Sequence, residues 1–195
     1  MVRRFAGARW LLNFSLVTLL TGCFASELPP VEPPSALGKL LSVSDSTLPV
    51  RIQTQAFNER SLGHQYLFFI IPVTRVYTPT LTSDLRTQLS VACGMRGYRC
   101  SDEPTSSSVR MLEITVQDLS VNGYDLLVVR KPTASVTLSA KLYEKGQLMR
   151  TCEESYTATN TAHYAFAAEL QSALGEALLH GSYKILDCLG FKQPS

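Results

Sequence analysis

Residues 134–156 read ASVTLSAKLYEKGQLMRTCEESY. Through Val136, Leu138, Ala140 and Leu142 every second side chain is apolar, the period of a strand with one face buried and the other in water. Glu144-Lys145-Gly146-Gln147 then supplies hairpin turn chemistry, and residues 148–156 predict a returning strand. An antiparallel sheet is the natural assembly of such neighbours, and its apolar face needs a cover.

Upstream, residues 111–118 repeat the alternation, with Leu112, Ile114 and Val116 set against Glu113, Thr115 and Gln117. Asn122-Gly123 predicts a turn, followed by a short apolar run at 126–129. Earlier, Val50, Ile52, Thr54 and Ala56 alternate with Arg51, Gln53 and Gln55, and residues 98–100 can begin another strand ahead of a polar loop at 101–108. The helical period occurs twice. Leu85, Leu89 and Ala92 or Cys93 follow the capping residues Thr82 and Ser83, with an end expected at Gly94 or Gly97. Phe166, Leu170, Leu174, Ala177 and Leu178 form one apolar stripe within residues 162–180, which Gly181 is expected to interrupt before a further apolar turn at 183–189. The predicted class is α+β: a mostly antiparallel sheet covered on one face by two helices, placed after a signal peptide and a Pro-rich tether.

At the N-terminus Arg3, Arg4 and Arg9 precede an apolar segment from Trp10 to Leu20, the layout of an export signal and shorter than the roughly 20 apolar residues of a span. Leu20-Thr21-Gly22-Cys23 resembles the bacterial lipobox. That resemblance implies cleavage before Cys23 and a diacylglycerol on its thiol; each buried methylene contributes about 0.8 kcal/mol, so several acyl chains attach a protein stably without a span. Phe24 stands where an aspartate would imply retention at the inner membrane, so the resemblance implies the outer membrane, with the domain facing the periplasm. The alternative is an ordinary secretory signal cleaved near Cys23 or Ala25. Pro29, Pro30, Pro33 and Pro34 fix φ and remove donors, which predicts an extended polyproline tether. The expected division is a signal peptide over 1–22, the lipidated cysteine and tether over 23–47, and a single α+β domain over 48–195.

Cleavage before Cys23 leaves 173 of the 195 residues, enough for one core. Removing Arg3, Arg4 and Arg9 lowers the 18 basic residues to 15 against 16 acidic, a net charge of −1. Such a balance argues against nucleic acid as a partner and offers no polybasic patch to anionic lipid. With Cys23 assigned to lipid, Cys93, Cys100, Cys152 and Cys188 remain, an even set in an oxidising compartment. Four cysteines allow three pairings. The spacing favours Cys93 with Cys100, because Gly94 and Gly97 let the chain reverse, and leaves Cys152 for Cys188. Structural zinc is the rival reading, without a C-x-x-C pair or close histidines to support it, so no metal or cofactor is expected.

Candidate chemistry is sparse. His64, His163 and His180 are scattered, and neither a Ser/His/Asp nor a Cys/His signature accompanies them. Glu153 and Glu154 would point to opposite faces of a strand. Gly94-Met95-Arg96-Gly97 ends a helix where an anion loop would open one. A non-enzymatic protein is expected. Function is sought instead in residues 66–77, where Tyr66, Phe68, Phe69, Ile71, Arg75 and Tyr77 combine apolar, aromatic and cationic side chains beside Pro72 and Pro79. The segment reads either as a buried strand or as an exposed patch for a neighbouring subunit, an envelope partner or lipid.

The layout of lipobox, tether, a strand ending in Phe57-Asn58-Glu59-Arg60, apolar insert, helix and further strands resembles small envelope lipoproteins of Gram-negative bacteria, YajG-like and CsgG-related among them. The resemblance implies a non-catalytic, outer-membrane-anchored lipoprotein supporting envelope assembly or secretion through protein contacts or self-association. The alternative is a module that binds lipid or lipopolysaccharide through residues 66–76.

Overall fold

The computed structural model describes residues 24–31, 47–53, 61–67, 71–101, 110–125, 130–160 and 166–191. In chain order the described elements are β1 (Phe24–Glu27), β2 (Thr47–Gln53), β3 (Gly63–Leu67), β4 (Ile71–Tyr77), α1 (Leu81–Met95), β5 (Arg99–Ser101), β6 (Arg110–Asp125), β7 (Arg130–Glu144), β8 (Gln147–Thr159) and α2 (Phe166–Cys188). All eight strands join one sheet.

β6, β7 and β8 form the antiparallel meander expected from the alternation. The other edge of β6 is shared: β2 pairs parallel along Leu112–Thr115, and β3 pairs parallel along Gly123–Asp125. β5 extends the first wing, parallel to β2, while β4 lies antiparallel to β3 and β1 parallel to β4. The sheet is therefore mixed, which corrects the expectation of a mostly antiparallel one. Alternation reports which face of a strand is buried and carries no information on its direction. Between β2 and β6 the chain makes a long return through α1, and such a crossover brings two strands together in parallel.

The core explains the lengths. Leu112, Ile114, Val116, Leu119 and Val121 of β6 are all buried although the step from Val116 to Leu119 breaks the period of two. Val116 pairs with Leu138 and Asp118 with Thr137, so Gln117 is an extra residue, and this bulge restores the apolar side chains to the inner face. β6 consequently runs through Asn122-Gly123, where a turn was expected. Asn122 is used differently: its Oδ1 accepts the backbone N–H of His64 at 3.1 Å. Residues 126–129 lie outside the described residues.

Both helices lie on one face of the sheet, α2 across β7 and β8 and α1 against α2. α1 buries Leu81, Leu85, Leu89, Ala92 and Cys93, starts one turn-residue ahead of the expected caps, and ends before Gly97 at φ +75° as the glycines predict. Thr82 and Ser83 fall inside its first turn, with Ser83 Oγ donating to the carbonyl of Thr80 at 2.7 Å. α2 continues unbroken through Gly181 to Cys188. There a Cβ would stand 3.0 Å from Val136 Cγ1, so the glycine serves close packing of helix on strand. The expected interruption is thus corrected.

The chain after Cys23 is also part of the fold. Phe24–Glu27 forms β1, Leu28 is 1% exposed, and the Leu28 N–H donates to the Tyr77 carbonyl at 2.9 Å. Pro30 accepts from Gln171 Nε2, and Val31 donates its N–H to Asp84 Oδ1 at 3.0 Å. Of the extended tether expected over 23–47, residues 24–27 are a strand and 28–31 pack on the fold, and the donor-less Pro29 and Pro30 come only where the chain leaves the sheet. Residues 1–23 and 32–46 lie outside the described residues.

At the far end of the sheet the two disulfides join Cys93 to Cys100 and Cys152 to Cys188, with Cα separations of 6.0 and 6.1 Å. Between them Arg96, only 3% exposed, donates to Asp187 Oδ1 at 2.9 Å and to the Phe191 and Tyr183 carbonyls, with its guanidinium 4.0 Å from the Tyr183 ring centre. Tyr98 meets Phe191 edge to face at 5.1 Å.

Candidate interaction surface

With the helices on one side, the opposite face of β6–β8 carries the polar half of the alternation. Hydroxyls pair across it: Ser135 with Thr157 at 2.9 Å, Thr137 with Ser155 at 2.8 Å, and Thr133 with Thr159 at 3.4 Å. Such cross-strand pairs contribute a few tenths of a kcal/mol each, up to about 1.

The segment singled out in the sequence is the hairpin of β3 and β4, and it combines both readings offered for it. Val76 is fully buried, Tyr77 and Tyr66 are half-buried, and Ile71, Pro72 and Arg75 are exposed. Pro72 is accommodated at a register irregularity, because Gln65 pairs with Thr74 and Tyr66 with Pro72; β1 pairs with β4 only from Thr74 onward, so the missing donor interrupts no ladder there. Phe68 and Phe69 lie outside the described residues.

The register of β3 with β6 assembles a cross-strand group that is not visible as a linear motif. The Tyr66 ring stacks on Tyr124 with centroids 5.3 Å apart and planes 12° from parallel. Tyr124 is paired with Lys131 of β7, His64 lies 5.8 Å from the Tyr66 ring, and His64 is paired with Arg75 of β4. Paired positions share a face, so two tyrosines, a histidine, an arginine and a lysine line up across four strands. Of these, tyrosine and arginine are the types enriched at interfaces.

The other candidates are not brought together. His180 stacks on Tyr156 at 4.9 Å, far from His64, and His163 is outside the described residues. Among the described residues no group of three His, Cys, Asp or Glu side chains could hold a metal. Glu153 is exposed and points away from Glu154 on β8. A cleft of about 410 Å³ lies between the helices, lined by Val31, Gln88, Gln171 and Gly175, and another of about 310 Å³ lies by Arg110, Arg150 and Phe191. Neither is lined by a residue of the β3–β4 hairpin. No described helix is long and apolar enough to cross a membrane. Cys23, the expected lipid carrier, lies outside the described residues, one position before β1.

No protein-family model matches the chain, and no curated protein matches it. Solved structures do. A Xanthomonas campestris protein of the DUF330 family is 13% identical, with a TM-score of 0.48 over 86% of this chain and 95% of that one. A minor lipoprotein from Acinetobacter baumannii is 11% identical, with a TM-score of 0.41 over 74% and 91%. Rare lipoprotein B from Shewanella oneidensis is 10% identical, with a TM-score of 0.38 over 74% and 93%. No residue role is carried over from these proteins.

Proposed function

We propose that this chain is a non-catalytic lipoprotein of the cell envelope, anchored in the outer membrane through Cys23, with its domain in the periplasm and its work done through protein contacts. The observation that carries the reading is the partition of the cysteines. Four of the five are consumed in two disulfides that staple one end of the domain, as an oxidising compartment allows, and the fifth stands alone in Leu20-Thr21-Gly22-Cys23. Supporting a contact role, His64 and Arg75 are paired across β3 and β4 and share a face of the sheet beside β6. The uncovered face of β6–β8, with Arg75 and His64 beside it, is the surface assigned to an envelope partner or a second copy. The YajG-like or CsgG-related layout remains the resemblance that suggests assembly or secretion as the pathway.

Two measurements test this. Cys23→Ser should abolish lipid labelling and release the domain from the membrane fraction; persistent attachment would overturn the anchor. A photoreactive side chain placed at Ser155, on the uncovered face, should give a discrete protein adduct in intact envelopes, while one at Ala168 on α2 should not. Equal yields at the two positions would remove the assignment of that face.

A further inference from the structure

The strand registers fix which end of the sheet faces the anchor. β1 runs parallel to β4 with Phe24 opposite Thr74, so Val73, Pro72 and Ile71 continue past Phe24 in the direction of Cys23. At about 3.3 Å per residue Ile71 stands roughly 10 Å beyond the level of Phe24. Ile71 is paired with Leu67, Leu67 with Asp125 and Asp125 with Arg130, so these four backbone positions form one level across β4, β3, β6 and β7. Cys23 is one peptide bond from Phe24, a Cα step of about 3.8 Å, so no flexible spacer separates a lipid on that residue from this end of the sheet.

The chemistry of that end differs from the opposite one. Ile71 is 42% exposed and Pro72 is exposed beside it. One pairing step back stand the stacked Tyr66 and Tyr124 and the exposed Lys131. On the β4 side an apolar tip backed by tyrosines and a lysine follows the order of a bilayer boundary, hydrocarbon first and then the amphipathic rings and cations that favour the headgroup layer, while Asp125 and Arg130, at the same level on β6 and β7, are charged residues that belong with the headgroups. At the opposite end the β7–β8 connection is the polar Lys145-Gly146 between Glu144 and Gln147, although Leu148 and Met149 beyond it are 55% and 57% exposed. Exposed apolar side chains therefore occur at both ends, and the position of Cys23 decides between them.

We infer that the Ile71 end of the sheet lies flush on the bilayer, with Ile71 and Pro72 in contact with the lipid and Tyr66, Tyr124 and Lys131 at the headgroups. This inference rests on the lipid anchor at Cys23 proposed above. It gives the domain a fixed orientation: the strands stand upright on the membrane, the stapled end is uppermost, and the hydroxyl-lined face is presented sideways to partners.

The test uses the full lipidated chain reconstituted in vesicles of phosphatidylethanolamine and phosphatidylglycerol that carry nitroxide-labelled lipid. Ile71→Cys, Lys131→Cys and Lys145→Cys are each labelled with bimane after the native disulfides have formed, and mass spectrometry reports the lipid on Cys23. All three sites are on the surface, and two independent labels at the membrane end guard against one variant that misfolds. The expected result is lipid-dependent quenching at positions 71 and 131 at least threefold that at 145. Lipidated protein with equal quenching at the three sites, or most at 145, overturns the orientation while leaving the anchor standing. Protein without lipid on Cys23 refutes the anchor and removes the orientation with it. Photo-crosslinking from position 71 to a protein in native envelopes, with no lipid quenching, assigns this end to a protein contact and also overturns the inference.

Discussion

The carboxylate of Asp84, in the first turn of α1, accepts the backbone N–H of Val31, 53 residues earlier in the chain, at 3.0 Å. Its other oxygen accepts from Thr80 Oγ1 at 2.8 Å and Thr78 Oγ1 at 3.4 Å, and the residue is 2% exposed. A buried acceptor shared in this way ties the segment next to Cys23 to the helical layer. Asp84→Ala is expected to cost about 2–3 kcal/mol, since a bond to a charged group is lost and buried donors are left without an acceptor. Asp84→Asn keeps one acceptor oxygen and should cost less, about 1 kcal/mol. Hydrogen exchange at Val31 is the direct reading: protection unchanged in Asp84→Ala would show that the bond does not hold the segment.

Gly63 sits where β3 meets β6, and a Cβ there would lie 2.1 Å from the Val121 carbonyl oxygen. Backbone cannot rotate aside as a side chain does, so Gly63→Ala must push the two strands apart. The expected loss is about 1–3 kcal/mol, concentrated in the β1–β4–β3 wing. Chemical denaturation gives the magnitude, and loss of exchange protection in β3 and β4 before β7 gives the location. Uniform weakening of the whole sheet would contradict it.

Arg96 and Asp187 form an ion pair at 2.9 Å, with exposures of 3% and 66%. The two ends should be worth different amounts. Asp187→Ala removes a solvated partner and should cost under about 1 kcal/mol. Arg96→Ala deletes a buried side chain that also serves the Tyr183 and Phe191 carbonyls, and should cost about 2–4 kcal/mol, without rescue by Arg96→Lys. Equal effects in urea titration would mean that the ion pair alone carries the contact.

The disulfides should rank by the loops they close. Cys152 and Cys188 are 36 residues apart and Cys93 and Cys100 only 7, which gives about 3.8 and 2.5 kcal/mol in the chain-entropy account. Serine at both positions of each pair, compared by reversible denaturation, measures this. A larger loss from the short loop would place the stabilisation in local packing around α1 and β5.

The alternation at Leu112–Val116 and Val136–Leu142 identified the two longest strands, and the stripes at Leu85–Leu89 and Leu170–Leu178 identified both helices, because burial imposes those periods on sequence. What escaped was set by pairing. The bulge at Gln117 looked like a strand end, since the extra residue shifts the apolar period by one. Asn122-Gly123 and Gly181 looked like breaks, yet Asn122 caps an amide of the neighbouring strand and Gly181 admits a close neighbour. Of the residues singled out for contact, Tyr66 and Arg75 were legible by type. Tyr124 and Lys131 were not, because only the register of β3, β6 and β7 brings them alongside.

β1 also defines a path for mechanical load. Tension applied at Cys23 would enter the fold through four residues paired with β4 and bypass both disulfides. Shearing β1 away, withdrawing Leu28 and releasing Pro30 and Val31 from Gln171 and Asp84 would leave the sheet from Thr47 onward stapled, and the 23 residues 24–46 could span at most about 80 Å at full extension. A pull from position 23 in a force spectrometer should therefore show an early event bounded by that length, ahead of any rupture of the core. With the anchor proposed at Cys23, strain from the envelope would change the domain's distance from the bilayer before the core lost its shape.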